Sequence, residues 1–239
     1  MKKPPLIPSL IVLAFVVLMI NLGFWQLNRA EEKEQILTLL ADDRITLVEQ
    51  TAQIKNLPEY ANVVLRGHYL NSPQLLLDNQ VNAQQLGYHV FTPFVLDEMN
   101  LYIMVNRGWV AKDNFKEQPI NINSIENQQD ISIAGKLNHS PQVGIQLGEI
   151  ELNNEKTQQI ITYFDRTKVS KFLHESLCSR LNCIVSDRIL MLNQTQDHGF
   201  KRDWQPIIMP PSKHIGYAVQ WFSMTFVLII IFIYWLRKL

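Results

Sequence analysis

Near its C-terminal end the chain reads HIGYAVQWFSM (214–224) and passes directly into TFVLIIIFIYWL. At 100° per residue, His214, Tyr217, Ala218 and Trp221 share one helical face, with Gln220 further round. Tyr217 and Trp221 suit the aromatic belt of a membrane–water interface. His214 and Gln220 need another reason, because a polar side chain at membrane depth is costly unless it pairs, lines a cavity or binds something. The apolar stretch at the other end of the chain carries Asn21, Gly23, Trp25 and Gln26 at the matching height. Two chemistries fit. Asn21 or Gln26 can hydrogen-bond Gln220 while Gly23 and Gly216 let two helices approach closely. A neutral His214 imidazole between flat aromatics also suits axial ligation of a haem iron, with Lys213, Arg29 or Arg107 near the propionates.

No competing constellation stands elsewhere. The remaining histidines, His68, His89, His139, His174 and His198, form no H-x-x-x-H or H-E-x-x-H pair, so zinc-hydrolase chemistry has no support. There is no G-x-S-x-G elbow, Walker loop or G-x-G-x-x-G fingerprint. His68 and His89 fall inside predicted strands and read as hydrogen-bonded or exposed strand residues. Charge is balanced, 22 basic against 22 acidic residues, which argues against nucleic-acid binding. Cys178 and Cys183 are the only cysteines. Their C-x4-C spacing allows a local disulfide in an oxidising compartment or two structural thiols, and is not the C-x-x-C of redox or zinc sites.

The elements that must position these residues begin with the two ends. Leu6 to Phe24 is 19 residues without a charge, and Ile215 to Leu236 is 22 more. Roughly 20 apolar residues span a bilayer as a helix, so both ends are expected to be transmembrane. Lys2 and Lys3 would suit a signal peptide, but bulky Phe24, Trp25 and Gln26 occupy the exit where small residues flank a cleavage site, so the first span is read as an uncleaved anchor. Lys2 and Lys3 before the first span, and Arg237 and Lys238 after the second, place both termini in the cytoplasm and the central domain in a periplasm-like compartment; Arg29 and Lys33 oppose this.

The first span (6–25) is expected to continue as a helix over 26–41. A β-rich domain occupies 42–205, with strands at 63–70, 74–80, 88–97, 101–110, 131–137, 159–164 and 183–193. Asn71-Ser72-Pro73 and Glu98-Met99-Asn100 are turns. Pro93 predicts an edge strand or a bulge at its own position. A helix is expected at 165–177, with Asp165 as N-cap and Val169, Phe172, Leu173 and Leu177 on one face. Residues 112–130 and 138–156 read as loops. A Pro-rich linker (206–213) leads to the second span (214–236). In VNRGW (105–109), Gly108 supplies a positive-φ turn after its strand, Trp109 packs back on the core, and Arg107 meets a buried carboxylate or an anionic ligand group. The fold class is a membrane protein with two terminal transmembrane helices flanking a mainly antiparallel β (α+β) domain.

Several of these pieces together resemble the surfeit-locus (Surfeit and Shy) cytochrome c oxidase assembly proteins. They are GFWQLNRAEEK at the first span's exit, GYHVFTPFVL followed by VNRGWV, and HIGYAVQWF at the second span. Their order covers nearly the whole chain, while 140–200 shows little that matches. The resemblance implies a non-enzymatic assembly factor for haem–copper oxidase in the bacterial inner membrane. It implies haem a as cofactor, with His214 as axial ligand and Tyr217, Gln220, Trp221, Trp25 and Gln26 around the ring. The implied partners are the oxidase catalytic subunit, the haem a synthesis machinery and membrane lipid. The other reading is a haem-free scaffold for assembly intermediates; a tethered enzyme has no site motif behind it.

Overall fold

The structure is a computed structural model that describes residues 5–42, 44–112, 130–141, 148–178, 183–204 and 209–238. Most of the loop expected at 112–130, part of that at 138–156, the SRLN stretch between the cysteines and the start of the Pro-rich linker lie outside the described residues. The chain forms two compact units, Met1–Ala41 with Gln205–Leu239, and Asp42–Trp204.

The first unit is a helix pair. Helix α1 (Leu6–Leu40) is 35 residues long, about 52 Å at 1.5 Å per residue, so the first span and its polar extension are one unbroken helix. Its partner α4 (Pro211–Lys238) starts with proline in the first turn, where the missing N–H costs nothing. The helix therefore begins within the stretch expected to be linker, and Lys213 is helical. The less exposed positions of α1 include the series Val12, Val16, Met19, Gly23, Gln26, Ala30 and Lys33, and those of α4 include Pro211, His214, Ala218, Trp221, Thr225, Leu228 and Phe232. Both series step by alternating threes and fours, the 3.5-residue period of a left-handed helix seam. Small residues at its centre (Gly23, Ala30, Ala218, Thr225) let the backbones approach, as in membrane helix packing. The other faces expose Leu10, Leu13, Phe15, Phe226, Ile230 and Ile231, apolar surface that lipid rather than water would cover. Both helices are long and apolar enough to cross a membrane.

The second unit is a mixed sheet that closes on itself. Its strands are β1 (Ile45–Leu47), β2 (Asn62–Tyr69), β3 (Gln74–Asn82), β4 (Gln85–Leu96), β5 (Leu101–Ala111), β6 (Ile131–His139), β7 (Gln158–Ile161) and β8 (Ile184–Leu192). The order is β1-β2-β6-β8-β5-β4-β3-β7, and β2 also pairs with β4, so β2, β6, β8, β5 and β4 form a ring. Alternation along β2 turns Val63, Leu65 and Tyr69 inward, where they meet Phe94, Leu96, Ile103, Val105, Leu137 and Leu190. Helix α2 (Thr51–Asn56), held by a Gln50–Gln53 capping box, adds Ile54 to this interior. A second core lies outside the ring. There α3 (Arg166–Leu177), capped by Asp165 through Thr167 N and Lys168 N at 3.0 Å each, sets Val169, Phe172 and Leu173 on Leu75, Leu77, Phe91 and Ile161.

Two local expectations change. Pro93 marks neither an edge strand nor a bulge at its own position. Its carbonyl accepts from Leu70 N at 2.9 Å, so its nitrogen faces that same side, at the point where β4 exchanges β3 (through Phe91) for β2 (from Phe94). Gly108 does not end its strand. Between β4 and β5 the register passes from His89 opposite Trp109 to Phe91 opposite Asn106, so β5 carries one extra residue at Arg107–Gly108. Gly108, at φ 115°, supplies the bulge conformation that a side chain would resist. Cys178 and Cys183 are joined as a disulfide.

The closed interior predicts the cost of hollowing it. Phe94 is fully buried, and its ring meets that of Tyr69 edge-on at 5.0 Å. Phe94→Ala is expected to cost about 3–5 kcal/mol. The readout is a lower guanidinium midpoint of the detergent-solubilised chain, followed by tryptophan fluorescence. A loss below about 1 kcal/mol would contradict a packed ring interior.

Candidate functional site

Within the helix pair, the seam brings His214 and Gln26 together. His214 is 8% exposed, and its Nδ1 lies 2.8 Å from Gln26 Oε1. With the amide oxygen as acceptor, Nδ1 carries the hydrogen and Nε2 the lone pair. Nε2 has no hydrogen-bond partner among the described residues. A metal-binding imidazole has this wiring, in which the distal ring N–H is anchored so that the other nitrogen is basic and fixed in direction.

The amide partners differ from those expected. Gln26 bonds His214 rather than Gln220, and Asn21 Nδ2 donates to its own helix at Val17 O, 2.8 Å away. Gly23 does allow close approach: a Cβ there would meet the Phe222 ring at 2.6 Å. Gly216 has open space instead. Phe24 packs edge-on against Phe222, with ring centroids 5.5 Å apart, which fixes which sides of α1 and α4 coincide. By helical spacing the opposite side of the pair carries Trp25 and Arg29 from α1 with Lys213, Tyr217 and Gln220 from α4. All but the half-buried Arg29 are exposed, and Trp221 sits half-buried in the seam. That side has cations at one level and broad aromatics below them. Arg29 also meets Glu32 at 2.5 Å.

Arg107 belongs to the β domain and is 2% exposed. Its Nε donates to His198 O at 2.6 Å, and its guanidinium lies 4.7 Å from the Phe200 ring and 5.6 Å from that of Tyr69. Burial holds the guanidinium down to about 10, still charged at neutral pH, and pushes the Tyr69 phenol up. The neighbouring motif residues join the same segment. Trp109 N donates to Lys201 O at 2.8 Å, and Trp109 Nε1 donates to Gln80 O at 2.9 Å. A Cβ on Gly108 would stand 2.7 Å from Arg202 Cγ and from Lys201 O. VNRGW thus clamps HGFKRDW (198–204) to the barrel. Sequence reasoning passed over that partner, although its alternation of bases and aromatics was a signal for cation–π contacts.

Near the clamp, His89 is half-buried. Asn106 Nδ2 lies 3.4 Å from its Nδ1, and the Trp204 ring stands edge-on at 5.8 Å. Burial depresses its imidazole to about 4.

Together these features define a class, a closed β domain flanked in the chain by two helices long and apolar enough to cross a membrane, whose seam holds a buried, amide-anchored histidine. The SURF1 family's sequence profile matches residues 13–226, most of the chain, and the chain belongs to the SURF1 family. It is similar to a SURF1-like protein of Rickettsia bellii, at 32% identity over 44% of this chain and 44% of that protein. Cytochrome oxidase assembly protein SHY1 of Saccharomyces cerevisiae is 25% identical over 50% of this chain and 32% of its own length. The match therefore spans less than half the length of these two relatives. A SURF1-like protein of Rickettsia felis is 24% identical over 96% of this chain and 97% of its own.

The depressed His89 makes a pH prediction with a defined sign. Between about pH 6.5 and 4 the unfolded chain protonates this imidazole while the folded one does not. Its contribution to stability is therefore present above about 6.5 and lost as pH falls toward 4. Comparing urea midpoints at pH 7 and 5, His89→Gln is expected to show a smaller acid loss than the parent. An equal loss in both would mean that His89 does not titrate in this window.

Proposed function

We propose that this chain is a non-enzymatic assembly factor for haem–copper cytochrome c oxidase that holds haem a through His214 and aids its passage to the oxidase catalytic subunit. The carrying observation is the His214 Nδ1–Gln26 Oε1 bond at 2.8 Å, which leaves Nε2 as the ligand nitrogen. His214 would hold haem a through Nε2, and the haem would supply an iron that a neutral imidazole can ligate. Gln26 orients the imidazole and fixes its tautomer. Trp25, Tyr217 and Trp221 offer flat apolar surface beside it, and Gln220 a polar edge. Arg29 and Lys213 offer cations for carboxylates; Arg107 is engaged inside its own domain. The name of the yeast relative supports the oxidase as client, and the haem a synthesis machinery is the other proposed partner.

We place both termini in the cytoplasm of a bacterial inner membrane and the β domain in the periplasm. The basic pairs Lys2–Lys3 and Arg237–Lys238 support this orientation, and the Cys178–Cys183 disulfide suits an oxidising compartment. A haem-free scaffold is the second reading, favoured by one observation: His214 and Gln26 also satisfy each other as a simple interhelical pair.

Absorption spectra of the protein purified in detergent from cells making haem a separate the two. The parent is expected to carry a haem a signal and His214→Ala, shown to be inserted and folded, to lack it. Gln26→Leu is expected to weaken haem retention about 10–100-fold through loss of the orienting bond. Undiminished haem in His214→Ala would overturn the ligand assignment, and no haem in the parent, with oxidase subunits retained, would favour the scaffold.

A further inference from the structure

Strand β8 does not run evenly beside β5. From Val185 to Ile189 it advances four residues while β5 advances two, from Tyr102 to Met104. The bulge lifts Ser186, Asp187 and Arg188 out of that ladder, while Arg188 remains opposite His139 on β6. Arg188 is 5% exposed. It donates to the carbonyls of Leu57 and Pro58, each at 3.2 Å, and has no ion pair among the described residues. Among the described residues its Nε is buried without a partner, and so is Nδ1 of His139. Both residues line a cleft of about 370 Å³ with Lys55, Val185 and Asp187.

The lining leaves Lys55 and Arg188 against Asp187, one positive charge in excess. A buried cation whose side chain donates only to carbonyls among the described residues is a place for an anion, and a guanidinium favours a planar carboxylate. His139 narrows the choice. Its Nε2 stands 3.3 Å from Glu59 Oε1, so in the neutral ring Nε2 donates there and Nδ1 is an acceptor. The cleft therefore offers cationic donors beside one acceptor, which a bare oxyanion does not use and a peptide, with its backbone N–H, does. Asp187 also lines a second groove, of about 550 Å³, that follows α3 past Arg166, Lys171 and His174 with Glu175 as its other acid. Lys171 meets Glu175 at 3.8 Å, so with Asp187 already set against the cleft the groove adds the charge of Arg166.

We propose that the Arg188 cleft takes one carboxylate, and that the groove along α3 makes its carrier an acidic, extended peptide segment of a partner protein. The acid enters between Arg188 and Lys55, a backbone N–H of the same segment donates to His139 Nδ1, and a further acidic residue meets Arg166, which has no ion pair among the described residues.

The test uses the full chain in detergent and fluorescence anisotropy of a short dye-labelled peptide of alternating Glu and Ser. Saturable binding that weakens with added salt is expected, with no binding of the Gln-for-Glu peptide. Arg188→Gln is expected to weaken binding about tenfold, as loss of a charge-assisted bond implies. Because that variant also loses its carbonyl bonds, Lys55→Gln, at an exposed position, is measured beside it and is expected to weaken binding in the same direction. Absence of saturable binding, equal binding of the Gln peptide, or affinity unchanged in Lys55→Gln would overturn the proposal. Binding of free glutarate at this cleft that the peptide cannot displace would overturn the peptide as carrier.

Discussion

Closure of the β domain rests on a short contact, His68 opposite Val95 and Tyr69 opposite Phe94, made possible by Gly67 beside it. A Cβ at Gly67 would run into the Val95 carbonyl, so any larger residue would hold β2 and β4 apart. Once they meet, β4 must release β3 partway along its length. Pro93 stands at that handover, where a missing N–H costs no ladder bond. The release also directs β3 outward, and its Leu75 and Leu77 become the floor on which α3 packs. Inner and outer cores are therefore both consequences of one close backbone approach.

Arg107 extends the same economy. A bulge at Arg107–Gly108 sets this side chain inside the domain, where desolvation works against its charge. The His198 carbonyl and the faces of Phe200 and Tyr69 offset that cost by ordering the chain that follows β8. VNRGW and HGFKRDW are two halves of one clamp. By its contacts the motif fastens the end of the domain to its sheet.

Much of the fold was legible because it follows from periodicity. The two uncharged ends, the alternation along β2 and the apolar face of α3 each leave a direct mark in sequence. Strand β1 and helix α2 left none, since three and six residues are too short to show a period. The Pro93 handover and the Gly108 bulge were misplaced for a shared reason: both depend on which strand lies alongside, a long-range fact that proline and glycine signal only in kind. At the helix seam, the residue types that matter were visible, but their pairing was not. Choosing Gln26 over Gln220 as the polar partner requires the register of two helices separated by most of the chain, and the 3.5-residue stripes fix it only once α1 and α4 are set side by side.

That register bears on what the histidine is for. An interhelical hydrogen bond in a membrane is worth about 0.6 kcal/mol on average, little more than well-packed apolar residues supply. Around His214 and Gln26 the seam already has Gly23, Ala30 and Ala218, which permit close packing without any polar group. As a staple the pair is a poor return for placing an imidazole and an amide at an apolar boundary. As a mount it does something the small residues cannot: it selects one tautomer, fixes the ring plane and leaves one nitrogen lone pair aimed and unspent. The magnitude therefore supports the ligand role proposed for His214. It also makes Gln26, rather than the aromatics around it, the residue that decides how well the imidazole is held.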